Sequence, residues 1–87
     1  MNLGKHFPVS DYYKDHIIDA ETISNTGQWW TAVLLINDPK TDKAFTALYR
    51  WQKRDGVWKN SASFKLHSKQ NIADLIRILE RFAKDIG

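Results

Sequence analysis

Few side chains in this sequence have the types and spacing that catalysis or metal binding requires. The three histidines, His6, His16 and His67, are scattered and match no metal-binding motif. Asp15 and Asp19 flank His16, and we interpret this group as the solvated start of a strand rather than a metal site. The chain has no cysteine, and its four glycines are too far apart to form a phosphate-binding loop. The sequence therefore predicts no enzyme activity, no metal and no cofactor.

Basic side chains are concentrated in the middle of the chain. The net charge is +3, but residues 1–39 carry −3, residues 40–69 carry +6, and the last eighteen residues are balanced. A cationic segment of this kind indicates an anionic partner. A pair of solvated strands kept soluble by lysine would give the same charge distribution. The sequence favours a binding function over catalysis. It does not decide whether the charge serves an anionic partner or only keeps two strands soluble.

Four strand-like runs, each closed by a turn signal, follow a less regular start. Asn25-Thr26-Gly27 ends the first run, a loop at 37–42 ends the second, and Asp55-Gly56 joins the last two as a hairpin. Such runs with tight connections predict an antiparallel sheet. The predicted strands span residues 16–23, 29–36, 44–54 and 57–66.

A helix is predicted after the fourth strand. Ser68 or Asn71 can cap its first free N–H groups, and apolar residues then recur at helical spacing. The fold class is α+β, with a four-stranded antiparallel sheet and one C-terminal helix (ββββα). Residues 16–87 form one domain in this interpretation, and residues 1–15 form an N-terminal extension. The apolar stripe consists of Ile72, Leu75, Ile76, Leu79, Phe82, Ala83 and Ile86.

The Asp55-Gly56 turn pairs Arg54 with Val57 and sets the alternation of side chains behind that pair. One face should be apolar and lie against the helix, with Phe45, Tyr49, Trp51, Trp58, Phe64 and Leu66. The other face should be open, basic and rich in hydroxyl groups, with Arg50, Gln52, Arg54, Lys59, Ser61, Ser63 and Lys65.

One tryptophan of the Trp29-Trp30 pair must lie on the open face of the sheet. If Asn37 opposes Lys43, Trp30 lies beside Arg50 on that face, and a slip of one residue places Trp29 there instead. A tryptophan among arginine and lysine suits single-stranded nucleic acid, since bases stack on the ring and cations follow the phosphates. A subunit interface, or a base in a cleft between helix and sheet, would also cover apolar surface.

A family resemblance is carried by the third and fourth predicted strands. The residues concerned are Arg50-Trp51-Gln52-Lys53-Arg54-Asp55-Gly56-Val57-Trp58-Lys59, followed by Ser61-Ala62-Ser63-Phe64-Lys65-Leu66. Together with the ββββα order, this segment resembles the single-stranded-DNA-binding domains of the transcriptional coactivator p15 (positive cofactor four) type and the related Whirly proteins. It is also similar to archaeal single-stranded-DNA-binding proteins of Thermoproteales. The resemblance implies a homodimer, or a higher oligomer of dimers, that binds single strands with little sequence preference. The residues that it implies for binding are Arg50, Lys53, Arg54, Lys59, Ser61 and Lys65.

The sequence thus predicts a cytoplasmic, homodimeric module that binds single-stranded nucleic acid, with DNA favoured over RNA. The alternative is a protein–protein or dimerisation adaptor with no nucleic-acid role. We expect neither a signal peptide nor a membrane span, because no apolar run approaches the ~20 residues that a span needs. The predicted nucleic-acid-binding residues are Trp30, Arg50, Gln52, Lys53, Arg54, Lys59, Ser61, Ser63 and Lys65.

Overall fold

A computed structural model describes residues 7–86 of the chain, so His6 and the rest of residues 1–6 lie outside it. It confirms the predicted ββββα fold, in which the strands lie in the sheet in the order β1-β2-β3-β4. A single helical turn, α1, precedes the sheet. The elements are α1 Asp11–Lys14, β1 Ile17–Asn25, β2 Trp29–Asp38, β3 Lys43–Arg54, β4 Val57–Leu66 and α2 Lys69–Ala83.

The β3–β4 hairpin has the turn that its sequence predicts. Asp55 and Gly56 have φ angles of 53° and 78°, and two positive φ values in succession define the type I′ turn whose twist suits a hairpin. Arg54 pairs with Val57 as expected, and the pairing continues correctly as far as Trp51 with Asn60.

A β-bulge then interrupts the hairpin. Arg50 pairs with Ala62, so Ser61 is an extra residue on β4. Because a bulge adds one residue to one strand, the alternation of faces beyond it is reversed. The sequence-based placement of the end of β4 is therefore wrong by one residue. The pairs observed there are Tyr49 with Ser63, Leu48 with Phe64, Ala47 with Lys65 and Thr46 with Leu66.

The β2–β3 pairing follows the alternative register. Asp38 pairs with Lys43, which places Trp30 opposite Trp51 and Trp29 opposite Gln52. The expectation that Trp30 lies on the open face is wrong, because the strands pair one residue further towards the loop. Trp29 takes that position, as the slipped register predicts.

The inner face of the sheet is covered by the segment that precedes β1. Phe7 and Val9 are buried, and Tyr13 is half-buried against the same core. The Phe7 ring stacks on Trp30 with centroids 5.1 Å apart and lies 6.0 Å from Trp51. The other buried members of this core are Ala32, Leu34, Ile36, Phe45, Ala47, Tyr49 and Trp51.

The indole N–H groups of the inner face differ in their partners. Trp30 Nε1 donates a hydrogen bond to Thr22 Oγ1 at 3.0 Å. Trp51 is completely buried, and within residues 7–86 its Nε1 has no hydrogen-bond partner. An unpaired buried N–H costs about 1–3 kcal/mol, which the surrounding aromatic packing must offset.

Helix α2 begins as predicted but does not cover the sheet. Ser68 caps it, since its Oγ accepts from the Asn71 backbone N–H at 3.2 Å. No residue of α2 is buried, and its contacts with the strands are sparse. The predicted helix–core contact is therefore wrong: Phe7, Val9 and Tyr13 occupy the face on which the helix was expected.

The dimensions of the molecule agree with a projecting helix. Its radius of gyration is 14.1 Å, whereas a compact chain of this length has about 12 Å. Within residues 7–86, no helix has the length and apolar character that crossing a membrane requires.

Candidate nucleic-acid interface

The sheet face opposite Phe7, which we call the outer face, carries a row of polar and aromatic side chains near the hairpin. Trp29, Gln52 and Lys59 are neighbours on β2, β3 and β4, and the next row on this face contains Thr31 and Arg50. In-register neighbours on adjacent strands lie about 5 Å apart. The outer face thus brings a tryptophan and cations together on three strands.

Arg50 and Trp29 form the best-defined contact of the outer face. The guanidinium carbon of Arg50 lies 4.1 Å from the centroid of the Trp29 ring, within the range of a cation–π interaction. Arg50 is exposed and Trp29 is half-buried. The ring therefore holds a cation in place while that cation remains accessible to an anion.

An open groove of about 320 Å³ continues this surface towards the turn. Gln52, Arg54, Lys59 and Ser61 line it, and Arg54 Nε donates a hydrogen bond to Gln52 Oε1 at 2.9 Å. Two cations, an amide and a hydroxyl can contact a phosphate or a sugar here. Five predicted site residues, Arg50, Gln52, Arg54, Lys59 and Ser61, thus lie together on the outer face.

The remaining predicted residues lie on the inner side of the sheet, which corrects the placement of Trp30, Ser63 and Lys65, whereas Lys53 pairs with Trp58 as the hairpin register predicts. Trp30 is packed in the core, and Ser63 pairs with the buried Tyr49 because of the bulge. Lys53 Nζ lies 5.7 Å from the ring of Trp58. These side chains are separated from the outer face by the sheet itself.

Lys65 has a structural partner on the inner side. Its Nζ donates a hydrogen bond to the Tyr13 hydroxyl at 2.9 Å and lies 4.9 Å from the centroid of that ring. This hydrogen bond raises the pKa of the Lys65 ammonium above its ordinary value. Lys65 therefore ties the segment before β1 to β4 and is not part of the outer face.

Two aromatic residues of the outer face differ from the main sequence-based expectation. Trp29 was the alternative to Trp30, and its position depends on which residues pair across the 37–42 loop. Phe64 was expected in the core but is 63% exposed. No local pattern signals this orientation, since it results from the bulge at Ser61.

The outer face is not basic throughout. On β1, Asp19 and Glu21 pair with Leu35 and Val33, so the carboxylates border the part of the face that is far from the turn. The cations Arg50, Arg54 and Lys59 lie towards the turn. An anionic ligand is therefore attracted to the hairpin half of the outer face.

The histidines and acidic residues that the structure describes do not form a metal-binding cluster. Within residues 7–86, no group of three His, Asp or Glu side chains can hold a metal ion. The ring of His67 stacks on Phe45 with centroids 5.1 Å apart, which gives it a packing role. The chemically distinctive groups of the outer face are its aromatic and cationic side chains.

Comparison of the chain with protein families, with curated proteins and with solved structures gave no match. The resemblance to coactivator p15-type and Whirly domains therefore stays a prediction, based only on the residues quoted for it and on the element order.

Proposed function

We propose that this protein binds single-stranded nucleic acid, DNA in preference, through the hairpin half of the outer face. The observation that carries the proposal is the Arg50–Trp29 contact at 4.1 Å, next to Lys59 and Arg54 on a solvent-facing sheet. A module of this kind acts largely independently of sequence, because stacking and phosphate contacts are available to every nucleotide.

Charge supports this function. Apart from Asp55 in the turn, β3 and β4 contain no acidic residue, and they present Arg50, Arg54 and Lys59 on one side of the sheet. Such cations attract a phosphate backbone and release its counterions. A single strand can also place its bases on Trp29, whereas the bases of a duplex are stacked on one another. The proposed ligand is therefore single-stranded.

The direct test is a titration of a fluorescently labelled thymidine oligonucleotide, followed by anisotropy at several salt concentrations, with a duplex of equal length alongside. We expect saturable binding to the single strand that weakens steeply with salt, because each phosphate contact releases counterions. The duplex should bind more weakly. Absence of binding to the single strand at low salt would refute the proposed function.

The phosphate contacts can be counted with matched charge variants. Changing Arg50 and Lys59 to Ala together should reduce the slope of log affinity against log salt by about 1.4, since each single-strand contact contributes about 0.7. Changing Lys40 and Lys84 to Ala removes the same charge away from the outer face and should leave the slope nearly unchanged. Equal effects of the two double variants would exclude a localised site.

A specific observation supports a second candidate function, protein–protein association. Much of the apolar stripe of α2 is exposed: Ile76, Leu79 and Phe82 are each 52–53% exposed, and Ile86, just beyond the helix, is 77% exposed. A contiguous exposed stripe on a helix is typical of an interface. The partner that fits both proposals is a second copy of the chain, held through α2, which leaves the outer face open.

Sedimentation velocity over a range of protein concentrations tests the homodimer. We expect a dimer whose dissociation depends weakly on salt, since apolar contacts are not screened. A monomer at every concentration that nevertheless binds the oligonucleotide would refute the dimer alone. A dimer with no oligonucleotide affinity would favour the adaptor.

We place the protein in the cytoplasm, where the absence of cysteine agrees with reducing conditions.

A further inference from the structure

Phe64 is a large aromatic side chain held in solvent by the bulge on β4. It pairs with Leu48 on the outer face and is 63% exposed. Without Ser61 as an extra residue, the alternation of β4 would turn Phe64 to the inner face. The strand thus contains a local irregularity whose effect is to present an aromatic ring on the same surface as Arg50 and Trp29.

The register places Arg50 midway between the two aromatic residues of the outer face. Trp29 pairs with Gln52 and Phe64 pairs with Leu48, and Arg50 lies two residues from each partner along β3. The two positions are two strand spacings of about 5 Å apart across the sheet and four residues of about 3.4 Å apart along it. The diagonal between them is therefore roughly 17 Å. This diagonal crosses the hairpin half of the outer face with a cation at its centre.

A shallow groove of about 400 Å³ lies between Arg50 and Phe64. Thr31, Leu48, Ala62 and Phe64 give it a mostly apolar lining, and Arg50 is the only cation among the described residues that line it. An apolar floor with an aromatic ring and one cation matches a nucleobase with its attached phosphate. An apolar protein segment would not account for the adjoining cations Arg50 and Lys59.

We infer that Phe64 is a second base-stacking position and that one nucleic-acid strand runs diagonally from Trp29, past Arg50, to Phe64. This inference rests on the proposed function and extends it by giving the strand a path and a length. At about 3.4 Å per stacked nucleotide, the diagonal spans about five nucleotides, and fewer if the strand is extended. Arg50 contacts the phosphates between the two stacked bases.

Thymidine oligonucleotides of two to ten nucleotides, titrated against the wild-type chain and variants at Phe64, test the path. With oligonucleotides that reach both rings, Phe64→Ala should weaken binding by about 5- to 150-fold, the loss of one stacked base. Phe64→Tyr should retain the wild-type affinity because it keeps the ring. Phe64→Leu should lose nearly as much as Ala, because it keeps apolar bulk without a π face.

Oligonucleotide length provides a second readout. The affinity of the wild type should rise steeply once the oligonucleotide spans the diagonal, and this rise should be missing in Phe64→Ala. Tyr12→Ala is the matched control, since Tyr12 is an exposed aromatic residue on α1, away from the outer face and from the α2 stripe. It should leave both the affinity and its length dependence unchanged. Circular dichroism and thermal melting of each variant verify that the fold is retained.

The outcomes separate this inference from the proposed function. If the wild type binds no oligonucleotide, the proposed function fails. If it binds and Phe64→Ala binds equally well at every length, the second stacking position is refuted while the proposed function stands. If Phe64→Ala changes the sedimenting mass, Phe64→Leu restores it and oligonucleotide affinity is unaltered, Phe64 is a protein contact and the inference is overturned.

Discussion

The segment before β1 and the C-terminal helix α2 contrast sharply in how they join the molecule. Residues 7–14 contain one short helical turn and no apolar periodicity, yet Phe7 and Val9 lie in the core with exposures of 9% and 8%. Helix α2 has a regular apolar stripe, yet none of its residues is buried. The irregular segment is integrated into the fold, and the regular element projects from it.

This difference shows what hydrophobic periodicity specifies. A repeat at helical spacing indicates that one helix face needs an apolar partner, but not which surface supplies it. For the inner face of the sheet, Phe7 stacks on Trp30 and covers the core without α2. The exposed part of the α2 stripe is the surface through which we propose that the chain forms a dimer.

The strongest test of the contrast between the N-terminal segment and α2 is to shorten the side chain of Phe7. Phe7→Ala should lower the free energy of unfolding by about 3–5 kcal/mol, since a buried ring against two tryptophans is replaced by a cavity. Phe82→Ala on α2 should change it by no more than about 0.5 kcal/mol at low protein concentration. Urea denaturation measures both. Phe7→Leu keeps much of the side-chain volume and can be used if the Ala variant does not fold. Equal losses of unfolding free energy at positions 7 and 82 would contradict the contrast between the N-terminal segment and α2.

Removal of the α2 cap should have the next largest effect. Ser68→Ala deletes the acceptor for the Asn71 N–H and should cost about 1 kcal/mol of helix stability. An isolated helix of this length is marginal in water, so far-ultraviolet circular dichroism should lose helical signal while the near-ultraviolet signal of the aromatic core persists. Ser68→Thr should retain the helix. Loss of the near-ultraviolet signal in the Ala variant would mean that α2 supports the core.

Alkaline pH should loosen the attachment of the N-terminal segment. The Lys65–Tyr13 hydrogen bond raises the pKa of Lys65 above 10.5, so its contribution is present below that pH and is lost as pH rises through the folded-state pKa. Burial raises the pKa of Tyr49 above 10.0, so above that pH the unfolded chain ionises more readily than the native one. Both shifts make the free energy of unfolding fall above about pH 10.

Chemical denaturation at a series of pH values measures this decline. Tyr49→Phe should remove the part that comes from Tyr49, and Tyr13→Phe should remove the part that comes from the hydrogen bond to Lys65. A decline that neither variant alters would show that other groups control alkaline stability.

The smallest effect on stability is expected within the α2 stripe. Leu79→Ser should change the free energy of unfolding at low concentration by no more than about 0.5 kcal/mol, because Leu79 is half exposed in the single chain. At high concentration it should lower the sedimenting mass of the proposed dimer. Glu80→Ser, a polar position of the same helix, is the control. A large loss of stability at low concentration would place Leu79 in a packed monomer core.

The sequence predicts the elements well because their signals are local. The Asp55-Gly56 turn has the positive φ angles that its residue types favour, and Ser68 forms the cap that its position suggests. The first four pairs of the hairpin follow directly from that turn. Arg50, Gln52, Arg54 and Lys59 accordingly lie on the predicted face.

The features that the sequence could not predict depend on long-range choices. The bulge at Ser61 reverses the faces of Phe64 and Lys65, and small polar residues around it do not signal the extra position. Whether Trp29 or Trp30 lies on the outer face depends on a one-residue difference in the register of β2 and β3 across the 37–42 loop. The use of Phe7 as the core cover is a tertiary contact with no periodic pattern.

The buried indole of Trp51 is an intrinsic spectroscopic probe of the core. Its N–H proton is fully enclosed and has no hydrogen-bond partner within residues 7–86, so its exchange with deuterated water is governed by opening of the core. Trp29 lies on the other side of the sheet, where its indole senses the ligand surface instead. Nuclear magnetic resonance of these two indole protons in one sample can therefore follow global opening and ligand contact separately, without a label.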